Sequence, residues 1–147
     1  MRGLVLVCGL AAVALASGCG GDHGLPAACR DGTGAVAGAL RAAPARVELS
    51  PGVPLSSCVK RAVNPDDVVF VGGTLVSVAV ALGERARADL ESPSALQLGY
   101  LLGAAHRGGD STLVSSELLR RLDQEAAGIE ARSRAYARGL RAGRAAG

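Results

Sequence analysis

The stretch NPDDVVFVGGTLVSVAVALGERARADLE, residues 64–91, decides the fold. Asn64 is a good N-cap, because its side chain can accept from a free N–H of the first turn. Pro65 suits the first helical position, where a missing N–H costs nothing. Asp66 and Asp67 suit the positive end of the helix dipole. Val68, Val71, Leu75, Val78 and Leu82 then recur at alternating three- and four-residue spacing, the seam of a packed helix. Val69, Phe70, Val76 and Val80 widen the apolar surface most of the way round, which predicts a helix at the centre of a bundle. Glu84, Arg85 and Arg87 mark its return to water, and it is expected to end near Glu91. Valine favours strands, but the capping pattern and the charged helical run that follows decide for helix. As a membrane span, Val68 to Leu82 gives about 22 Å of helix against the roughly 20 residues needed. The buried core helix is therefore the preferred reading.

Downstream, Ser92-Pro93 repeats the same start signal. Leu98, Leu101, Leu102 and Ala105 line one face as far as His106-Arg107, and Gly108-Gly109 supplies the stop. Gly99 and Gly103 stand one turn apart on this helix and admit a neighbouring backbone closely. The expected neighbour is the valine-rich helix, and a homodimer contact is the alternative. Asp110, Ser111 or Thr112 caps a last long helix with Leu118, Leu122, Ile129 and Tyr136 as its stripe, and Gly128 as a break or kink. Upstream, Thr33 to Ala43 reads as a short helix ended before Pro44. Val47 to Leu55 reads as a turn-rich connection around Pro51-Gly52 and Pro54. Ser56 or Ser57 is expected to cap a helical turn carrying Cys58 to Val63. The fold class predicted is all-α: a small bundle of three main helices with short helices before them.

Composition narrows the function. The aromatics are Phe70, Tyr100 and Tyr136, with no Trp, so the core must be built of Val, Leu and Ala. That scarcity argues against nucleic-acid and sugar sites, which lean on stacking. Charge is unevenly placed. All 13 acidic residues precede Ala131, whereas Arg132, Arg134, Arg138, Arg141 and Arg144 follow it. Arg134, Arg138 and Arg141 fall on one helical face. That face is expected to meet anionic headgroups or an envelope protein, or else to be a solvated tail.

The chain opens with Met1-Arg2, an apolar run from Leu4 to Leu15, and then Ala16-Ser17-Gly18-Cys19. The run has the length of a signal-peptide core. Small residues before a cysteine at the end of such a core resemble the lipobox of bacterial lipoproteins. The resemblance implies cleavage before Cys19, a lipid on its sulfur, and export to the extracytoplasmic face of the cell membrane. Residues 1–18 would be signal peptide, 19–28 a lipidated tether, and 29–147 a helical domain with a basic tail from about 132. An ordinary secretory signal cut near Ala16 or Gly18, or an uncleaved anchor, are the alternatives. With Cys8 discarded and Cys19 lipidated, Cys29 and Cys58 remain, an even pair in an oxidising compartment. One disulfide between them is expected; two buried thiols are the alternative.

Catalytic signals are sparse. Ser57-Cys58-Val59-Lys60 has the Ser-x-x-Lys spacing that places a nucleophile and an amine on one helical turn, but the companion Ser-Asp-Asn and Lys-Thr-Gly signals of penicillin-recognising enzymes are missing. His106, Asp110 and Ser111 lie close in sequence, yet triads are recognised by geometry. His23 and His106 are the only histidines and neither sits at metal-ligand spacing, so no metal or cofactor is expected. The function expected is a non-enzymatic interaction or structural module of the envelope, held at the membrane through Cys19. The alternatives are an envelope hydrolase using Ser57 and Lys60 or His106, and a helical domain binding a small ligand between the valine-rich helix and its neighbours.

Overall fold

A computed structural model describes residues 24–109 and 113–147. The chain starts with a 3-10 turn, Ala27–Arg30, followed by α1, Gly32–Ala39, which runs on into a 3-10 turn, Leu40–Ala42. Two short strands follow, β1 at Glu48–Ser50 and β2 at Val53–Pro54. They pair antiparallel, with Glu48 opposite Pro54 and Ser50 opposite Val53. Gly52 makes the turn between them at φ +78°, a conformation that favours glycine. Then come α2 at Leu55–Arg61, α3 at Pro65–Ala88, α4 at Pro93–Gly108, α5 at Leu113–Ala126 and α6 at Arg134–Ala146.

The fold is all-α apart from this one small hairpin. Where Val47 to Leu55 reads as a plain connection, the chain pairs with itself around Pro51-Gly52. The expected caps of α3 and α4 are in place. Asn64 Oδ1 accepts from the Asp67 N–H at 2.8 Å, and Ser92 Oγ accepts from the Ala95 N–H at 3.3 Å. The cap expected for α2 is not: that helix starts from Pro54, and Ser56 and Ser57 lie inside it.

The last predicted helix is two helices. α5 ends at Ala126, Gly128 takes φ +77°, and α6 begins after Ser133. A β-carbon disfavours that left-handed backbone, so glycine is the natural place for the break. Ser133 Oγ then accepts from the Tyr136 N–H at 2.9 Å and restarts the helix. The stretch expected to be a basic tail is thus α6, packed along its length.

The centre of the bundle is α4 rather than the valine-rich α3. Leu98, Tyr100, Leu101, Leu102, Ala104 and Ala105 are all fully buried, and α4 packs against α2, α3, α5 and α6. α3 buries Val71, Leu75, Val78 and Leu82, the predicted seam. Its opposite face stays in solvent, with Val69 75% exposed and Phe70 43%. By length and composition α3 is the one helix among the described residues long and apolar enough to cross a membrane. The whole helix is 24 residues, so length alone does not settle its role. Its seam is covered by α1, α4 and α5, which makes it a wall of this bundle. α3 and α6 both pack on α4 and share no substantial contact with each other.

Candidate functional site

Two surfaces carry chemistry, and the helix packing sets where each one points. The first is the start of the described domain, around Cys29. Cys29 and Cys58 are bridged, with Cα atoms 5.5 Å apart and a separation of 29 in sequence. The next residue, Arg30, donates from Nη2 to Asp67 Oδ1 at 2.5 Å. Asp67 is buried and also accepts from Asn64 Nδ2 at 2.6 Å, so its carboxylate has donors on both oxygens. One covalent bond and one charge-assisted hydrogen bond therefore pin the start of the domain to α2 and to the first turn of α3. Within the stretch expected to be tether, Leu25 already packs against the core.

Val63, Val69 and Phe70 are the exposed large hydrophobic residues among the described part of the chain. All three fall at the junction of α2 and α3 or in the first two turns of α3. Beside them an apolar groove runs between α3 and α5, lined by Val68, Val69, Gly72, Gly73, Val76 and Leu118, with Glu117 and Arg121 at its lip. Glu117 accepts from Arg120 and from Arg121, each at 2.8 Å. These hydrogen bonds hold its carboxyl down at about 2, so the acid at the lip stays ionised and paired.

The second surface is α6. Arg134, Arg138 and Arg141 are all exposed, on the side turned away from α4. The sequence spacing that put them on one face is realised because α6 is held rigidly. Ser133 Oγ donates to the Leu90 carbonyl, and the Arg134 N–H donates to Glu91 Oε1 at 2.8 Å. At the other end of α6, Ser56 Oγ donates to the Gly147 carbonyl at 2.5 Å.

Between these anchors α6 lies on α4 through glycine. A β-carbon on Gly99 would overlap the Tyr136 carbonyl oxygen and stand 2.9 Å from Leu140 N. One on Gly103 would overlap the Leu140 carbonyl and stand 2.8 Å from Arg144 N. The reverse holds on the other helix: a β-carbon on Gly139 would overlap the Leu96 carbonyl, and one on Gly143 the Tyr100 carbonyl. The helices run parallel, and their small-residue series, Ala95-Gly99-Gly103 and Ala135-Gly139-Gly143-Gly147, interlock. The neighbour of Gly99 and Gly103 is α6, not the valine-rich helix. The second series, at i, i+4, i+8 and i+12, stands in the sequence as plainly as the first, but its interleaved arginines read as a basic tail.

The candidate catalytic residues are dispersed. Ser57 and Lys60 do line one open cleft, about 390 Å³, together with Arg46 and Arg107. Arg107 is committed to the carbonyls of Arg144 and Ala145 at 2.9 and 2.7 Å, and Arg46 to Glu48 at 2.9 Å. His106 Nε2 lies 2.9 Å from Asp123 Oδ1, joining α4 to α5. Asp110 and Ser111, its sequence neighbours, lie outside the described residues, as do Cys8, Cys19 and His23. Among the described residues no three His, Cys, Asp or Glu side chains converge on a metal position.

Comparison with protein-family models, with curated proteins and with solved structures finds no match to this chain.

Proposed function

We propose that this chain is an exported lipoprotein, held at the outer side of the cell membrane by lipid on Cys19, and that its helical domain serves there as a non-enzymatic interaction module. The observation that carries the reading is the Cys29–Cys58 bridge. A domain cross-linked by cystine belongs in an oxidising compartment, and a leader ending in Ala16-Ser17-Gly18, just before Cys19, would deliver it to one. Two or more acyl chains give stable anchoring where one gives marginal binding. On this reading the ordered arginine face of α6 is the contact surface for an anionic partner, headgroups or an acidic envelope protein. A second copy of the chain is a further candidate partner, and nucleic acid is not. Cell fractionation of the Cys19→Ala variant tests the anchor: it should leave the membrane fraction, and unchanged membrane association would overturn the reading.

A second reading, binding of a small apolar ligand, is favoured by the groove between α3 and α5. Native mass spectrometry of the purified protein tests it through any retained molecule. A hydrolase built on Ser57 and Lys60 is tested by a fluorophosphonate or penicillin probe, and labelling at Ser57 would displace the non-enzymatic reading.

A further inference from the structure

We infer that the domain rests on the bilayer through Val63, Val69 and Phe70, and that the N-terminal half of α6, with Arg134 and Arg138, is turned away from that bilayer. The inference rests on the lipid anchor proposed above, adds which side of the domain meets the membrane, and so selects an acidic protein over headgroups as the partner of Arg134 and Arg138.

The described chain starts at Gly24, five residues after Cys19. A fully extended stretch of that length spans at most about 17 Å, so a lipid on Cys19 holds whatever lies near Gly24 close to the bilayer. What lies near is fixed by two bonds. Cys29 is bridged to Cys58, and Val63 follows Cys58 by five residues. Arg30 is bonded to Asp67, two residues before Val69 and three before Phe70. The exposed large apolar side chains of the described residues are therefore gathered at the tethered end, and Val63 and Val69 are each about three-quarters exposed.

Single exposed apolar residues need no explanation, but a cluster of them beside a membrane anchor does. An apolar tip flanked by cations suits the interface between headgroups and acyl chains. Arg30, Lys60 and Arg61 are exposed, and Lys60 and Arg61 precede Val63 by three and two residues. Arg30 spends part of its charge on Asp67 and Asp66 is exposed on the same turn of α3, so the contact leans on the apolar side chains more than on charge.

The position of α6 follows. α6 packs along α4 and shares no substantial contact with α3. Arg134 lies beside Glu91, at the turn from α3 to α4, the end of the bundle opposite α2. A domain seated on the first turns of α3 thus points Arg134 and Arg138 into the aqueous phase, where an acidic protein surface would meet them.

The chain has no tryptophan, so a single one reports its own position. The full acylated protein, carrying Phe70→Trp or Arg138→Trp, is reconstituted into phosphatidylcholine–phosphatidylglycerol vesicles with brominated acyl chains and floated on a gradient. Flotation reports the anchor and bromine quenching reports the face. We expect both variants to float, with Trp emission at position 70 shifted to the blue and losing intensity, and emission at position 138 unchanged. Flotation with quenching at 138 instead of 70, or at neither, would overturn the seating while leaving the anchor in place. Failure to float would overturn both.

Discussion

Gly99 and Gly139 interlock across the contact of α4 with α6: each lies where a β-carbon would overlap a carbonyl oxygen of the facing helix, Tyr136 in one direction and Leu96 in the other. The pairing is reciprocal and made by backbone against backbone. It holds the arginine helix to the central helix of the bundle without a large side chain between them, and places Cα–H groups beside carbonyls, a weak but recurrent attraction.

Because the obstacle is backbone, it cannot rotate away. Gly99→Ala and Gly139→Ala should each lower stability by about 3 kcal/mol or more, at the upper end of overpacking costs. Gly73→Ala, on the open face of α3 with no atom within 4 Å of the added carbon, should be neutral or gain about 1 kcal/mol from helix propensity. Urea melts of the three variants check this. Equal stabilities would mean that α6 does not sit where these contacts put it.

Tyr100 is the largest fully buried side chain, and its hydroxyl accepts from the Val47 N–H at 3.0 Å. Tyr100→Phe keeps the packing and leaves that N–H unpaired in the core. The expected cost is about 1–3 kcal/mol. Amide hydrogen exchange should show faster exchange at Val47 specifically, and an unchanged rate there would contradict the assignment.

Burial pushes the Tyr136 hydroxyl up to about 12, with Asp123 and Glu130 acting in the same direction. In the unfolded chain a tyrosine titrates near 10. The folded protein thus keeps a proton that the unfolded chain loses. Its contribution is fully present below pH 10 and is lost as pH rises from about 10 to about 12. The fall should be about 2–3 kcal/mol, at roughly 1.4 kcal/mol per pH unit. Tyr136→Phe should flatten that part of the profile, read from denaturant melts in alkaline buffers, and an unchanged profile would contradict it.

The Cys29–Cys58 bridge closes a loop of 29 residues. Chain entropy assigns such a loop about 3.5 kcal/mol. Replacing both cysteines by Ser should lower stability by about that amount. It should also loosen Leu25 and the Arg30–Asp67 pair, so the first residues of the domain should become the earliest site of limited proteolysis. A proteolytic pattern identical to that of the wild type would count against the pinning role.

Much of this fold was legible in the sequence, and the parts that were not share a cause. The starts of α3 and α4 could be read because Asn64 and Ser92 act locally, within three residues. The seam of α3 could be read because helix period is local too. Which helix would be central depends on which partners arrive. α3 is the more continuously apolar, yet α4 is wrapped by four neighbours because its glycines admit α6 at close range. Periodicity alone does not say that one face of an all-round apolar helix stays bare, and Val69 and Phe70 were therefore assigned to the interior. Ser56 or Ser57 reads as a cap, whereas both lie inside α2 and the Ser56 hydroxyl serves Gly147, 91 residues away. Of the candidate surfaces, the spacing of Arg134, Arg138 and Arg141 on one face was readable, but the rigidity of that face was not, since it comes from glycines taken for part of a tail.

Lipid on Cys19 is the claim on which the anchoring, the compartment and the orientation all depend. Intact mass of the mature protein extracted from native membranes tests it most directly. The mass should correspond to a chain beginning at Cys19, carrying a diacylglyceryl group and lacking the two hydrogens of the Cys29–Cys58 bridge. A mass that retains Met1 and the apolar leader, or one that starts elsewhere with Cys19 unmodified, would contradict it.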